Sequence, residues 1–442
     1  MELHIGVDDT DSPEGFCTTY LGYELVVEFQ RRGYRFLDFP YLVRLNPNIP
    51  FKTRGNAAIS IHLDVPEDKI PEIVDTVEEF VLRRSEHHGK TSPGFALLKG
   101  GVTDTLRELY RAALTSLVPR SYVEELVASG VLDVMVFRLG KARGIVGALA
   151  AIGAYPLRDY TYELLVYRDP SFRGPKTVLD EGVIIEIDRR FRPTVFATYD
   201  YSERRSLVTP RGPDPVLMGF RSLSAETLLE VLEKYLKGRI KSLGATGFIL
   251  YKSNQATNAH LAFKKRVAEI RPYDSVILEA TVKGRPLVLE GGHVKVEVCD
   301  GSGCIDSMFY KETGRLNRVA RLLREGDVVE VGGGVIPRRV LTLNAEFLHV
   351  LSVKPIESVL NPLCPVCGSR LESAGRNKGY RCRKCGFRGK FLAKNREELP
   401  RILEPGLYVQ STRAYRHLSR PLEVYGLERS FTAVLSPVAG PL

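Results

Sequence analysis

The chain has 442 residues, 44% of them hydrophobic and 26% charged, and its net charge is +10 at pH 7. This length exceeds the size at which one hydrophobic core keeps growing, so three or four domains are expected. The longest uncharged apolar stretch, residues 145–157, is too short to cross a bilayer, and no secretory signal precedes the first strand pattern. We therefore expect a cytoplasmic protein without a membrane span. The positive charge favours a polyanionic partner, although proteins without one often carry a similar excess.

The first part of the chain predicts a domain that mixes helices and strands. Alternating apolar residues predict strands, and apolar residues that recur every three or four positions predict helices. The predicted elements are a strand at 2–8, a helix that begins near Cys17 or Thr18, a hairpin at 41–45 and 57–63, and a helical region from about 67 to 130.

Two further units follow. A run of small residues at 144–151 predicts a closely packed helix, and a sheet and an amphipathic helix at 228–240 come after it. Beyond residue 272, five short strands are typical of a small closed barrel of the OB type, which binds oligonucleotides on one face. The predicted strands are 159–167, 183–188, 194–199, 215–220 and 248–251 in the second unit, and 275–282, 293–298, 305–310, 327–331 and 340–347 in the third.

An acidic loop follows the first predicted strand. Asp8, Asp9 and Asp11 lie between that strand and a helix, where carboxylates can coordinate magnesium. Lys52 and Arg54 lie in a second loop and can neutralise phosphate oxygens. Together these groups suit phosphoryl transfer. The ordinary alternative is that aspartates favour turns and that surface loops carry cations, and the pattern alone does not decide between the two.

The clearest local motif is a pair of Cys-x-x-Cys turns. Two such turns can complete the closed tetrahedron of a structural zinc site, which leaves no open position for catalysis. Redox pairs or free thiols fit less well, because a glycine follows each turn as in zinc knuckles. The four candidate ligands are Cys364, Cys367, Cys382 and Cys385, whereas Cys17, Cys299 and Cys304 have no predicted role.

A basic run surrounds the second cysteine pair. No acidic residue occurs at 376–396, and Tyr380 and Phe387 are interleaved with the cations. A solvated basic surface is the simple interpretation. Beside a barrel and a zinc ribbon, a surface that follows RNA phosphates and stacks on bases is favoured. The candidate RNA-binding residues are Lys378, Arg381, Arg383, Lys384, Arg388 and Lys390.

Longer segments make the chain similar to a known family. They are 6–12, 17–21, 44–47, 52–56, 143–151, 212–217, 219–221, 254–261, 290–294, the four cysteines and 416–422. On these residues the chain resembles the archaeal tRNA-isoleucine 2-agmatinylcytidine synthetases, called TiaS, over nearly its whole length.

The resemblance implies a multi-domain α+β fold. Its domains would be a kinase-like α/β catalytic domain at 1–138, a ferredoxin-like domain at 139–270, an OB-fold barrel at 271–353, and a zinc ribbon with a basic tail at 354–442. It also implies an ATP-dependent ligase that phosphorylates the carbon-2 oxygen of the wobble cytidine in the isoleucine tRNA with a CAU anticodon. Agmatine then replaces this oxygen, giving agmatidine, AMP and phosphate, so that AUA is read as isoleucine.

The resemblance also implies roles for individual residues. The implied cofactors are ATP, Mg²⁺ and a structural Zn²⁺, and the implied partners are the tRNA and agmatine. Asp8, Asp9 and Asp11 match the carboxylates that handle magnesium and ATP, and Thr18 matches a threonine that becomes phosphorylated. Further candidates are Lys52, Arg54, Arg143 and Arg221 for phosphate contacts, and Asn254, Asn258 and His260 for substrate contacts.

Two other functions remain open at this point. One is a non-catalytic single-stranded nucleic-acid-binding protein, in which the barrel and the ribbon carry the function and ATP does not bind. The other is a magnesium-dependent nuclease that uses the acidic loop, which would cleave RNA without nucleotide.

Overall fold

A computed structural model describes the chain at residues 1–12, 15, 17–52, 55–85, 91–139, 141, 143–171, 178–210, 212, 215–427 and 439–442. One large sheet forms the centre of the molecule. It contains strands from the first two units and a short strand from the C-terminus. Within the described ranges, no helix is long and apolar enough to cross a membrane.

The first unit contributes six strands and five helices. The strands are β1 (Glu2–Asp8), β2 (Arg35–Phe36), β3 (Tyr41–Arg44), β4 (Ala57–Asp64), β5 (Gly94–Lys99) and β6 (Met135–Arg138). The helices are α1 (Thr18–Arg31), α2 (Ile70–Arg84), α3 (Asp104–Thr115), α4 (Arg120–Ala128) and α5 (Gly144–Gly153). The strand at 2–8, the helix near Thr18 and the hairpin are therefore confirmed.

The second unit continues the same sheet. Its strands are β7 (Thr161–Arg168), β8 (Val195–Phe196), β9 (Tyr199–Asp200), β10 (Arg205–Ser206), β11 (Val216–Ser222) and β12 (Ala245–Ser253), and its helices are α6 (Glu181–Phe191), α7 (Ala225–Val231) and α8 (Lys237–Ile240). A π-helical turn, Leu232–Leu236, joins α7 to α8. The order across the sheet is β6-β5-β1-β4-β3-β12-β7-β11-β8, and the parallel pair β3–β12 joins the two units.

The third unit is a closed barrel. Its strands are β13 (Ser275–Val288), β14 (Val294–Asp300), β15 (Gly303–Phe309), β16 (Val328–Pro337) and β17 (Leu341–Ser352), with α9 (Arg315–Ala320) between β15 and β16. The parallel pair β15–β17 closes the ring. The predicted barrel is confirmed. A disulfide between Cys299 and Cys304, for which the sequence gives no signal, joins β14 to β15 across their turn.

The C-terminal part is built from short strands. They are β18 (Ile356–Leu360), β19 (Glu372–Ser373), β20 (Tyr380–Arg381), β21 (Arg388–Gly389), β22 (Asn395–Leu399), β23 (Gly406–Val409) and β24 (Ala439–Pro441). Strand β23 pairs with β17 of the barrel, and β24 pairs with β12 of the large sheet. The end of the chain therefore ties the barrel and the sheet together.

Two predicted elements are wrong. The predicted strand at 183–188 lies in α6, because Asp180 caps the helix by accepting a hydrogen bond from the Val183 amide at 3.2 Å. In that helix Ile184 and Ile187 are buried, which is helical spacing. The predicted helical region at 67–130 contains β5, whose residues 94–98 are all buried, so its apolar run shows no alternation.

Helix α5 lies unusually close to the central strands. A Cβ on Gly6 of β1 would be 2.0 Å from the carbonyl oxygen of Ala148, and one on Gly94 of β5 would be 2.5 Å from the Ile145 amide nitrogen. Only strand glycines leave room for the helix backbone at this distance. The glycines therefore fix how deeply the first turn of α5 reaches toward the end of β1.

We predict that Gly6→Ala destabilises the first unit. The added methyl group must push α5 away from β1, and overpacking of this kind costs about 1–3 kcal/mol. Urea unfolding followed by circular dichroism measures the effect. Gly101→Ala is the matched control, because nothing lies within 4 Å of the position of its Cβ. Equal midpoints for the two variants would contradict this account of the packing.

Candidate active site

A cavity of about 230 Å³ opens beside the carboxyl end of β1. The first turns of α1 and α5, the loop after β3 and the connection between α3 and α4 surround it. Six of the residues predicted from the sequence line this cavity, which we call the acidic cavity: Asp8, Asp9, Asp11, Thr18, Lys52 and Arg143. Arg54 lies outside the described residues.

Asp11 and Thr18 form one hydrogen-bonded unit. The Asp11 carboxylate accepts hydrogen bonds from the Thr18 amide at 2.6 Å and from the Thr18 hydroxyl at 2.9 Å. The hydroxyl in turn accepts a hydrogen bond from Thr10 at 2.9 Å. Asp11 therefore caps the start of α1 from outside the helix and holds the hydroxyl of Thr18 in one orientation.

The first turn of α5 packs directly against the carboxylate of Asp8. A Cβ on Gly147 would be 1.8 Å from Asp8 Oδ2, so this glycine makes room for the carboxylate. Burial raises the pKa of Asp8 well above its ordinary value, and the charges of Asp9 and Asp11 raise it further. The ionised form of Asp8 is therefore costly unless a cation lies beside it.

Asp9 and Arg143 face each other across the cavity. Arg143 Nη2 lies 3.5 Å from Asp9 Oδ2, and Asp9 has a φ of 55° in the left-handed region, which aspartate tolerates better than most residues. This turn brings the carboxylate of Asp9 next to that of Asp8. Lys52 and Arg120 line the same cavity, so three carboxylates and three cations surround it.

The loop that carries Lys52 is held by the barrel. Asn46 donates to the carbonyl of Tyr273 at 2.8 Å, and Asn48 donates to the hydroxyl of Ser275 at 2.9 Å. Both asparagines are buried. The sequence places them in a proline-containing loop but gives no sign of their partners, which lie more than two hundred residues away.

Arg221 lies away from the acidic cavity. Its Nε is 3.6 Å from Glu163 Oε1, while Arg44 Nη2 is 3.1 Å from Glu163 Oε2. Glu163 is buried and bridges the two cations. Arg221 therefore takes part in a buried charge cluster at the junction of the two units.

Two of the residues predicted to contact substrate bind other parts of the chain. Asn254 accepts a hydrogen bond from the Arg44 amide at 2.7 Å and donates to the Arg44 carbonyl at 2.8 Å. Asn258 donates to the hydroxyl of Tyr425 at 2.8 Å and accepts from the Arg420 amide at 2.7 Å. Neither lines the acidic cavity.

His260 is also buried inside the structure. Its Nε2 lies 3.1 Å from Glu346 Oε2, to which Ser419 also donates at 2.9 Å. Burial opposes ionisation of Glu346, but the charges of His260 and Arg416 outweigh it and lower the pKa of Glu346 to about 2. These three predicted residues join the barrel, β3 and the C-terminal tail.

The four predicted zinc ligands meet at one point. The Sγ atoms of Cys364 and Cys385 are 3.5 Å apart, as are those of Cys367 and Cys382, and all four lie within 4.8 Å of one another. Zinc bonds of about 2.3 Å place tetrahedral thiolates about 3.8 Å apart, so the donors fit one ion without an open position. The predicted structural zinc site is confirmed.

The ribbon exposes its predicted cations but not its predicted rings. All six candidate RNA-binding residues are exposed, and Arg381 and Arg383 approach Glu372 at 3.9 and 2.7 Å. Tyr380 and Phe387 pack against the cysteine cluster and are only partly exposed. The exposed candidates are Lys378, Arg381, Arg383, Lys384, Arg388 and Lys390.

Phe391 is the exposed ring that the sequence pattern misses. Its exposed fraction is 92%, and Lys390 Nζ lies 5.9 Å from its ring centroid. The signal that could have found it is an aromatic residue next to a lysine in the basic run. A ring in this position can stack on a base.

Known proteins are similar to the whole chain. Family models described as the TiaS TCKD domain, the TiaS FLD domain and the TiaS C-terminal zinc ribbon domain match residues 4–141, 142–260 and 361–403. A protein from Thermofilum pendens (strain DSM 2475 / Hrk 5), described as the 2-agmatinylcytidine synthetase TiaS of the second isoleucine tRNA, is 51% identical over 430 residues. The alignment covers 96% of this chain and 95% of that protein.

Solved structures agree with this chain over nearly its full length. The crystal structure of TiaS in complex with the second isoleucine tRNA and ATP has a TM-score of 0.80 and 33% identity, covering 98% of this chain and 99% of that one. The crystal structure of TiaS with the same tRNA, AMPCPP and agmatine has a TM-score of 0.79 and 31% identity, with the same coverage.

The agreement extends over nearly the whole chain, which carries three aspartates at the end of a central strand. The class of protein is therefore a multi-domain α+β synthetase. The chain belongs to the TiaS family. The resemblance inferred from its motifs and the predicted fold class are both confirmed.

We predict that Asp8→Asn stabilises the protein in metal-free buffer. Because the pKa of Asp8 is raised in the folded chain, its contribution to stability is lost as pH rises through that raised pKa. The amide carries no such charge. The unfolding temperature at neutral pH should rise by about 2 °C or more, and the gain should shrink in acid. A lower unfolding temperature would show that Asp8 is already compensated.

We predict that Cys382→Ser releases zinc and unfolds the ribbon. The ribbon core contains little more than the cysteines and Leu371, so its folding depends on zinc binding, on the order of 10 kcal/mol or more. Zinc content by mass spectrometry and limited proteolysis of 361–403 measure the effect. Cys17→Ser makes the same change outside the ribbon and should keep the zinc. Retained zinc in Cys382→Ser would contradict the assignment.

Proposed function

We propose that this chain is an ATP-dependent synthetase that forms agmatidine at the wobble cytidine of the isoleucine tRNA with a CAU anticodon. The observation that carries this proposal is that three carboxylates, a threonine and three cations line one cavity of a TiaS-family chain. The family members in complex with the second isoleucine tRNA, with ATP, and with AMPCPP and agmatine supply the substrate classes.

The reaction needs two steps. The carbon-2 oxygen of cytosine is a poor leaving group, and its phosphorylation turns it into a good one. The primary amine of agmatine then attacks carbon 2, a C–N bond forms, and the C–O bond breaks with release of phosphate. A cavity that gathers phosphate-handling groups beside an RNA-binding module suits this order of events.

We assign the three carboxylates to a magnesium ion. Asp8, Asp9 and Asp11 line one cavity; burial, followed by the charge of Asp9, raises the pKa of Asp8 well above its ordinary value. Hard oxygen donors of this kind fit Mg²⁺. When bound, the ion would neutralise charge on the phosphates of ATP.

Lys52, Arg143 and Thr18 complete the proposed site. Lys52 and Arg143 line the same cavity and would contact phosphate oxygens. Thr18 presents a hydroxyl whose proton Asp11 can accept at 2.9 Å, so it remains the proposed phosphate acceptor of the protein. For Arg221, Asn254, Asn258 and His260 we propose that they position neighbouring segments, because none of them lines the cavity.

The ribbon and barrel are proposed to hold the tRNA. The six exposed cations suit phosphates, and Phe391 suits a splayed base. A tRNA substrate would place the protein in the cytoplasm. A binding protein without catalysis would have no use for three carboxylates that line one cavity, and a nuclease would not need ATP.

The direct test incubates the protein with unmodified tRNA, ATP, agmatine and Mg²⁺, then analyses the digested RNA by mass spectrometry. We expect one cytidine to gain the mass of the agmatine chain, and no product when any component is omitted. Asp9→Asn should lose at least about a hundredfold in rate, because phosphate charge is left uncompensated. Asp68→Asn, an exposed residue outside the cavity, is the matched control.

Other outcomes separate the alternatives. Cleavage of end-labelled RNA with Mg²⁺ alone would favour the nuclease. RNA binding without ATP binding, and with unchanged behaviour of Asp9→Asn, would favour the non-catalytic binding protein.

A further inference from the structure

A second cavity, of about 280 Å³, adjoins the acidic cavity. The two cavities share Leu45, Lys52, Gly55 and Asn56, so Lys52 lies in the wall between them. The lining of the second cavity is different in charge. Its charged and titratable side chains are Arg44, Lys52, Arg416 and His417, and we call it the cationic cavity.

The positive charge of the cationic cavity is only partly balanced. Among the described residues no carboxylate lines it. Arg44 Nη2 lies 3.1 Å from one carboxylate oxygen of Glu163, and Arg221 Nε lies 3.6 Å from the other. Arg416 lies 3.6 Å from Glu346, which is also bound by His260. Three cations of the cavity, Arg44, Lys52 and Arg416, therefore have two carboxylates near them, and each of these carboxylates already has a second basic partner.

One buried donor atom of this cavity has no partner among the residues that the structure describes. Arg44 Nε is buried without a hydrogen-bond partner in the described part of the chain. A Cβ on Gly55 would be 3.2 Å from the His417 ring and 3.6 Å from Arg44 Nη1, so the two basic groups converge on this glycine. Only a glycine leaves space there for a small group between them.

The cations of this cavity also lower the pKa values of neighbouring basic groups. The charge of Arg44, together with burial and the charge of Arg221, lowers the pKa of His417 well below its usual value. Burial, followed by the charge of Arg416, lowers the pKa of Lys52. A bound anion would relieve this repulsion, and burial would make its attraction to the cations stronger than in water.

We propose that the cationic cavity binds a phosphate group and that this phosphate belongs to the RNA backbone beside the nucleotide that is modified. The inference rests on the proposed function and refines it. The carboxylates of the acidic cavity repel a phosphate that has no metal, whereas the cationic cavity attracts one. Lys52 would then touch both the ATP phosphates and the RNA.

The contacts of Arg416 favour the RNA backbone over the nucleotide as the source of the phosphate. Arg416 donates to Asn48, which is itself bound to Ser275 of the barrel, and it faces Glu346 of β17. A strand of RNA that follows the barrel therefore arrives at this side of the Lys52 loop. Holding a phosphate next to a splayed base is how proteins fix an unstacked nucleotide.

The test uses His417→Glu in the full zinc-containing chain. His417 makes no side-chain hydrogen bond within the described ranges, so the change adds a negative charge to the cavity without breaking an internal hydrogen bond. We expect affinity for unmodified tRNA, measured without ATP, to fall about tenfold or more. ATP binding measured without RNA should stay unchanged.

Arg35→Gln is the control for net charge. Arg35 pairs with Asp64 at the far end of β4 from Ala57, roughly 23 Å from the cavity at the strand rise per residue. Arg35→Gln should leave the affinity for tRNA and the affinity for ATP unchanged.

Arg416→Gln provides a second measure. The slope of log affinity for tRNA against log salt concentration should become shallower by about 0.7, the value for one phosphate of single-stranded RNA. Unfolding temperatures near that of the parent chain exclude a general loss of structure.

The outcomes separate the two sources of phosphate. If His417→Glu weakens ATP binding and leaves RNA binding intact, the phosphate belongs to the nucleotide and the RNA assignment is overturned. If neither affinity changes in His417→Glu and the salt slope of Arg416→Gln is unaltered, the cavity holds no phosphate. A parent chain that binds tRNA through this cavity but forms no agmatidine would instead refute the proposed function.

Discussion

The close approach of α5 to β1 is the constraint on which the site depends. Glycines at positions 6, 94, 144 and 147 let the backbone of the helix and the backbone of the strands come together without side chains between them. This contact places Asp8 beside the first turn of α5, where it is partly buried and lines one cavity with two other carboxylates. The acidic cavity is thus a product of packing, and its chemistry follows from the burial that the packing imposes.

The same packing explains why we propose a positively charged ligand for one cavity and a negatively charged ligand for the other. Asp8, Asp9 and Asp11 line the acidic cavity, whereas no carboxylate of the described residues lines the cationic cavity. Lys52 lies in the wall between the two cavities. The proposed ligands follow this division of charge: a divalent cation on the side of the carboxylates and a phosphate on the side of the cations.

The catalytic loop does not belong to one domain alone. Asn46 and Asn48 attach it to Tyr273 and Ser275 at the start of the barrel. The β3–β12 pair and the return of β24 to the large sheet join the units further. If the barrel holds RNA as proposed, its support of the loop with Lys52 links RNA binding to the position of the proposed phosphate contact.

Local patterns in the sequence were enough to predict the regular elements and the short motifs. Alternation indicated the barrel strands, spacing and small residues indicated α1 and α5, and two Cys-x-x-Cys turns indicated the zinc ligands, because such signals are local. The prediction was wrong at α6, because the helix cap at Asp180 outweighs the strand propensity of the isoleucines, and at β5, because a strand buried on both faces shows no alternation. The folded chain was needed to show that Asn254, Asn258 and His260 hold segments together, that the ring of Phe391 is exposed, and that a second, cationic cavity adjoins the first. These facts depend on contacts between residues far apart in the chain, and no local pattern records such contacts.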